Sequence, residues 1–527
     1  MRTVTQPIAR PLPPVATTMD RAGMSARQLV ALAGFFVVLR LFLAVLAEPI
    51  VDEMYYWLYA QHMELAFLDH PPLVAWLNWL GTELLGDTAA GLRLGAVACG
   101  LIALTYLYRL TRAIGGDRRQ ALAAVLLGSA LPAFFLSGLL MTPDAPLVAA
   151  WAAGLYYLQR ALVAGEGRAW LGVGLAFGIG LLAKYPTVLL AAAAAGFVLT
   201  DPAARRWLAR PQPYLAVLLA LALFSPVLIW NAQHDWASFA FQGSRRMDQA
   251  FTFSTHLLAG HVLVLLFPTG ALAAWGIASR PAWRVQAVSE ARNRQLLLWS
   301  AAVPFGVFFL FSLFNYPHFH WTGPAYIGLL PLLAATLTRP AAHGDRLRRL
   351  LDRLWRPTMY LLAGGYAIAA VYIAFGLPGV PYPTRNIAYL AWPPAAQAVH
   401  ALEQQIERDT GQRPLVVGMS KWSMAAGLAF HDVDGRRDNI TSRNLYGRTG
   451  TMFEYWFDDD SGGRRPVLLV DFERKDLEDP RVDAALVNAG PVQEQLIRWR
   501  GQVARHLYYR IAEGYRPEAV RRIRRER

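Results

Sequence analysis

Residues 51–76 read VDEMYYWLYAQHMELAFLDHPPLVAW and follow directly on an apolar run at about 29–47. The stretch carries an adjacent Asp-Glu pair, a further aspartate before His-Pro-Pro and a dense set of aromatics, with no Lys or Arg. Widened to 48–88, it holds seven acids, Glu48, Asp52, Glu53, Glu64, Asp69, Glu83 and Asp87, and still no Lys or Arg. Acids without basic partners, placed where a chain leaves a bilayer, suit either a cation site or a site that meets a proton.

The surrounding chain sets that context. Of 527 residues, 55% are hydrophobic and 17% charged, against about 25% charged in a soluble domain. The apolar residues fall into blocks of roughly 15–22, the length that crosses a ~30 Å hydrocarbon core. Eleven spans are expected, at 29–47, 89–108, 121–140, 144–162, 169–183, 186–200, 213–230, 257–278, 296–314, 319–337 and 357–376. The first is read as a retained helix, with no cleavable signal peptide ahead of it. The net charge of +14 does not form the solvated basic face that nucleic acid needs, because arginines cluster in short connections between apolar blocks. The single Cys99 allows no internal disulfide.

Those connections give an orientation. The segments 1–28, 109–120, 160–168, 201–212, 279–295 and 338–356 hold 23 Lys and Arg, whereas 48–88, 141–143, 184–185, 231–256 and 315–318 hold 3. The first set reads as cytoplasmic, and 48–88 then lies on the outer side. Eleven crossings put residues 377–527 outside as well. There RPLVVGMSKW and RPVLLVDFE read as short buried strands. WPPAAQAVHALEQQIERDTG reads as an amphipathic helix stopped at Gly411. The expected organisation is a cytoplasmic tail (1–28), a membrane domain (29–376) and an outer α/β domain (377–527).

The outer segments collect the chemistry. Adjacent side chains on a helix diverge by about 100°, so Asp52 or Glu53 can act while its neighbour anchors the loop. Pro71 and Pro72 stiffen the backbone after Asp69 and His70. In LLMTPDAPL, Thr142 reads as a helix cap, Pro143 as the first helical residue and Asp144 as a first-turn acid; capping alone also accounts for Asp144. Lys184 is one of three lysines in the chain, with Lys421 and Lys475, and lies at a break between two apolar blocks. An ionisable group there is a functional candidate or a snorkelling side chain, and an ammonium near lipid headgroups suits a phosphate. NAQHDWASFAFQGSRRMDQAF adds His234, Arg245 and Arg246, and NYPHFHWTGPAY adds His318, His320 and Trp321. Histidines in these loops show no tight metal-ligand spacing. Most of the aromatics fit an interface belt.

At these residues the chain resembles a known family. VDEMYYWLYAQHMELAFLDHPPLVAWL, MTPDAPL, LLAKYP, HDWASFAFQ and HWTGPAYIGLLPLLA occur in order between about 25 and 340. They are similar to signatures of the bacterial polyprenyl-phosphate-sugar-dependent glycosyltransferases, the protein O-mannosyltransferase and lipid A aminoarabinose transferase superfamily. The resemblance implies the GT-C fold, a polytopic α-helical membrane architecture. It also implies a sugar donor on undecaprenyl or a related polyprenyl phosphate, used at the periplasmic face of the bacterial inner membrane. Asp52 matches the family's catalytic aspartate, and Glu53 and Asp144 join it as catalytic candidates. The family motif at 69–71 is acidic residue, lysine, proline; His70 stands where that lysine would be. Phosphate binding is therefore spread over Lys184, His70, Arg245 and Arg246. Asp69, Tyr55, Tyr185, His318, His320 and Trp321 are substrate-contact candidates. No cofactor is required; some relatives bind a divalent metal, for which Asp69 with His234 is the candidate pair.

The implied reaction moves a sugar from the lipid phosphate to a lipid, glycan or protein acceptor with inversion. A carboxylate takes the acceptor proton and cations receive the phosphate. The chain has no GxxxxGK[ST] nucleotide loop. The rival reading is a transporter or lipid-linked sugar flippase, which the broken fifth and sixth spans would fit.

Overall fold

The computed structural model describes residues 24–243, 253–288, 290–339, 345–377, 379–380, 391–435, 437–446, 448–457 and 465–519. Helix α1 (Ala26–Leu46) starts at a capping box. The Ser25 side chain accepts from the Gln28 amide, and the Gln28 side chain accepts from the Ser25 amide. It leads to α2 (Val51–Gln61), α3 (Leu73–Leu85) and α4 (Ala89–Ala113), then α5 (Arg118–Ala130), α6 (Pro132–Ser137) and α7 (Asp144–Leu158). Next come α8 (Ala169–Ala183), α9 (Thr187–Thr200), α10 (Pro202–Arg205), α11 (Pro211–Gln233) and α12 (Ala237–Gly243). The helical part closes with α13 (Thr255–Ser279), α14 (Pro281–Ala287), α15 (Ala291–Phe314), α16 (Leu330–Thr338) and α17 (Arg346–Phe375). α4 packs on α7, α7 on α8, and α8 on α11. Glycine lets the last pair approach closely: a Cβ at Gly174 would lie 2.8 Å from the Ala216 carbonyl oxygen.

Six described helices, α1, α4, α11, α13, α15 and α17, are long and apolar enough to cross a membrane. Other expected spans are built from shorter pieces. The expected 121–140 span breaks at Leu131, which is extended ahead of Pro132, because the residue before proline is pushed out of the helical region. The buried Arg40 of α1 crosses to this break and donates to the Ser129 and Phe134 carbonyls at 3.3 Å each. It thus adds donors to carbonyls on either side of the break. The 319–337 span opens as turns and a 3₁₀ segment, Gly323–Tyr326, and only then becomes α16.

The C-terminal part has the expected α/β character. The helix Trp392–Thr410 ends on Gly411 at φ +72°, a left-handed cap that glycine adopts without strain. The two strands read from sequence are β1 (Leu415–Gly418) and β3 (Val467–Asp471), parallel to each other. With β2 (Ile440–Ser442), β4 (Gln493–Trp499) and β5 (Gln502–Ala512) they form a sheet of order β2-β1-β3-β5-β4, parallel up to β3 and antiparallel beyond. This domain sits on the first loop. Met54, Trp57, Ala425, Leu428 and Met452 belong to one buried apolar cluster, so membrane and sheet domains share a core.

Candidate active site

Helix α2 begins directly after α1, and its first turn carries both acids, where the helix dipole favours negative charge. Their fates differ. Glu53 is fully buried and points into the bundle. Its Oε1 accepts from Arg93 Nε at 2.9 Å and from the Met141 amide at 3.0 Å. Its Oε2 accepts from Arg93 Nη2 at 2.7 Å and from the Ile50 amide at 3.0 Å. Arg93, equally buried, spends its remaining donors on the carbonyls of Leu43, Ala47 and Glu48. This corrects the expectation of a catalytic Glu53: its oxygens are taken, and it pins the end of α1 to α4 and to the segment before α7. Arg93 was missed, although a lone arginine inside the apolar run at 89–108 is the kind of residue membranes tolerate only with a role.

Asp52, one position earlier, turns the other way. It is partly buried, and among the described residues it has no ion-pair partner. Burial pushes its carboxyl above the usual carboxylate range; its backbone amide contact opposes this and Glu53 adds to it. Asp69 accepts hydrogen bonds from Tyr59 and, at 3.4 Å, from Tyr55. Burial raises its pKa too, against the tyrosine contacts and the charge of Lys421. The prolines after His70 turn the chain into α3, and the Phe67 amide donates to the His70 carbonyl at 3.1 Å. His70 lies against the Tyr56 ring at 5.5 Å between centroids.

Asp144 opens α7, but Thr142 does not cap it: Pro143 holds the cap position with no side-chain hydrogen bond. The carboxylate instead takes the Lys184 ammonium on both oxygens, at 2.8 and 3.0 Å, with His320 Nε2 at 3.7 Å. Lys184 is delivered by the expected break, where α8 ends in extended backbone before Pro186 starts α9. The pieces converge on Tyr56. Its buried hydroxyl is pushed well above the ordinary tyrosine value, first by desolvation and then by the charges of Asp69, Asp52 and Asp144.

Other expectations change. Three of the seven acids of 48–88 do have basic partners, supplied from elsewhere: Arg93 for Glu53, Arg437 for Asp87 at 3.2 Å, and His431 3.0 Å from Glu48. Tyr55 is buried and committed, hydrogen-bonded to Thr451 at 2.7 Å and stacked on Trp422, so it joins domains rather than facing substrate. Tyr185 bonds Ser238 at 2.7 Å and packs on Phe239. His318 and Trp321 lie beside His320 and each other. His234 stacks on Trp230 with Nδ1 on the Trp230 carbonyl, while Asp69 is held by tyrosines. Among the described residues no group of three or more His, Cys, Asp or Glu is placed to hold a metal. Arg245 and Arg246 lie outside the described residues.

Comparison with known proteins bears on the fold. The family described as dolichyl-phosphate-mannose-protein mannosyltransferase matches residues 69–230. Over 92% of this chain and 98% of the other, the fold superposes on the crystal structure of ArnT from Cupriavidus metallidurans in the apo state, with a TM-score of 0.62 at 14% identity. The chain has the GT-C fold. The same ArnT bound to undecaprenyl phosphate matches with a TM-score of 0.59 at 16% identity, over 92% and 97% of the two chains. In sequence, lipid A galacturonosyltransferase RgtD of Rhizobium johnstonii is 31% identical over 194 residues. The undecaprenyl phosphate-alpha-4-amino-4-deoxy-L-arabinose arabinosyl transferase 1 of Sodalis glossinidius is 31% identical over 134. These segments cover 35% and 24% of this chain, and 39% and 24% of the two relatives. With its apolar helices, this GT-C chain is a multi-pass membrane protein.

Proposed function

We propose that this protein is an integral-membrane glycosyltransferase. It moves a sugar from a polyprenyl-phosphate donor, of the undecaprenyl type, to a lipid, glycan or protein acceptor at the periplasmic face of the bacterial inner membrane. The observation that carries this reading is the one carboxylate among Asp52, Glu53, Asp69 and Asp144 without an ion pair or tyrosine hold, that of Asp52, in a partly buried site. A carboxylate raised by burial is a stronger base than an exposed one. The acceptor hydroxyl oxygen attacks the anomeric carbon as its bond to the phosphate oxygen breaks. Asp52 takes the hydroxyl proton, and the bonding pair leaves with the polyprenyl phosphate. Base and leaving group lie on opposite sides of the sugar, so the anomeric centre inverts. The leaving phosphate needs positive charge nearby, and Lys184 is the candidate, exchanging part of its contact with Asp144.

The relatives support the donor class: one structural neighbour is an undecaprenyl-phosphate complex, and the sequence relatives are a lipid A galacturonosyltransferase and an undecaprenyl phosphate-aminoarabinose arabinosyl transferase. The test is transfer by the purified chain from a radiolabelled undecaprenyl-phosphate sugar to envelope glycolipid, polysaccharide or protein. Sugar moving across liposomes without bond cleavage would favour the transport reading instead.

A further inference from the structure

Helix α17 (Arg346–Phe375) is longer than a bilayer needs. Its 30 residues rise about 45 Å, against a hydrocarbon core of ~30 Å. About ten residues therefore reach the headgroup zone. Its neighbour α1 shows which ten. Phe36 packs on Tyr366 at 5.9 Å between ring centroids and Phe42 on Phe375 at 6.3 Å, so the two helices run parallel. Counted back along both from the first pair, Ala26 comes level with Arg356, and residues 346–355 extend past the start of α1. That end lies opposite the first loop, which follows the other end of α1.

The two sides of this overhang differ. Its inner side is tied down. Asp345 caps the helix by accepting from the Arg348 amide at 3.1 Å and takes Arg280 at 2.6 Å. Buried Arg348 lies 3.5 Å from Asp352 and 5.7 Å from the Trp283 ring centroid. Both acids of the segment are thereby engaged. The outer side carries Arg346, Arg349 and Arg353, all exposed. Among the described residues none of the three has a hydrogen bond, ion pair or ring contact. Leu350 and Leu354, 45% and 37% exposed, lie between them. At helical spacing the same stripe runs on into exposed Leu361 and Ile368, so arginines and the apolar flank of the span form one outward face.

We propose that Arg346, Arg349 and Arg353 bind the phosphate headgroups of anionic phospholipids in the leaflet opposite the first loop. This needs only that the chain spans a bilayer and does not depend on the transferase reading. Charge and position select the partner. Guanidinium groups pair with phosphate oxygens, and three cations with no acid on their own face leave charge for a ligand to balance. A zwitterionic headgroup brings its own cation, so a net negative lipid is favoured. The interleaved leucines call for acyl chain beside each headgroup, which a nucleic acid or a soluble acidic protein does not offer. A phospholipid supplies both, with its tails along Leu361 and Ile368. Headgroups held at this level fix the depth at which α17 sits.

The test is native mass spectrometry of the full-length chain in neutral detergent, with phosphatidylglycerol and phosphatidylcholine of matched chains added together. The wild type is expected to hold phosphatidylglycerol at least about tenfold more tightly. That preference should shrink as salt rises from about 0.05 to about 0.5 M. Arg346→Gln, Arg349→Gln and Arg353→Gln combined, a change that keeps helix propensity, should bring the two lipids within about twofold of each other. The corresponding three Arg→Lys changes should keep most of the preference, because the charge stays. If the triple Gln variant unfolds early in detergent, Arg349→Gln with Arg353→Gln and the wild-type salt series carry the same decision. No preference in the wild type, a preference kept by the Gln variants or unmoved by salt, or equal loss in the Lys and Gln variants overturns the proposal. Displacement of bound phosphatidylglycerol by inorganic phosphate alone assigns the site to a free oxyanion and overturns the lipid.

Discussion

Helix α2 presents two faces made from neighbouring acids. The face toward the bundle carries Glu53, whose buried carboxylate meets Arg93 in a bidentate pair and two backbone amides. The neighbouring face carries Asp52 and Tyr56, with Asp69 and Asp144 close enough to act on Tyr56. A buried charge with every lone pair occupied holds structure together and is inert. A partly buried acid without an ion-pair partner is held at a disadvantage that only a substrate proton relieves. One residue of offset on a helix separates a fastener from a reagent.

The contrast can be broken experimentally. The largest effect is expected from Asp52→Asn, which should lower transfer by about 10²–10⁴-fold, the range of general-base contributions, with the unfolding temperature unharmed. Wild-type rates from this variant would erase the distinction between the two faces. Glu53→Ala should do the reverse, lowering stability by about 3–5 kcal/mol because it strands Arg93 in the core. Thermal unfolding in detergent measures this, and a fully stable but inactive Glu53→Ala would move Glu53 into the chemistry. Lys184→Ala should raise donor KM by about tenfold and also lower stability, since Asp144 loses its partner. Adding Asp144→Asn should recover the unfolding temperature but not the donor KM.

The pH response sharpens the same comparison. The base works deprotonated, so the acid limb of kcat/KM should lie above the usual carboxylate range and vanish in Asp52→Asn. In the linkage sense, a folded pKa above the unfolded one means that the folded state binds more protons between the two values, so stability falls as pH rises through that window. Asp52→Asn should therefore unfold at a slightly higher temperature at neutral pH, with no gain at pH values below both. The smallest effect belongs to the outer seam. Arg437→Ala loses a contact 4.4 Å above the Trp57 ring and a half-exposed pair with Asp87, worth about 0.5–1 kcal/mol together.

Much of this was written in local pattern. Apolar runs, two strand motifs and the Gly411 stop are short-range signals; the strands and the stop appear where they point, and the apolar runs become helices, with breaks at Leu131 and ahead of Leu330. Asp52, Asp69, Asp144 and Lys184 were also legible as candidates, since ionisable residues beside apolar runs are conspicuous. Their pairing was not. The Thr142 cap signal named a local partner for a segment whose acid prefers Lys184, 40 residues away. The loop that looked unpartnered draws Arg93 from α4 and Arg437 and His431 from the sheet domain.

The sequence alone therefore determined the membrane-spanning class and the residue types gathered around the first loop, because hydrophobic length acts through nearest neighbours and solvent. Only tertiary structure decided which acid is bound and which is left open. That depends on where a distant guanidinium or ammonium comes to rest, and in a low-dielectric interior a single such contact outweighs every local preference.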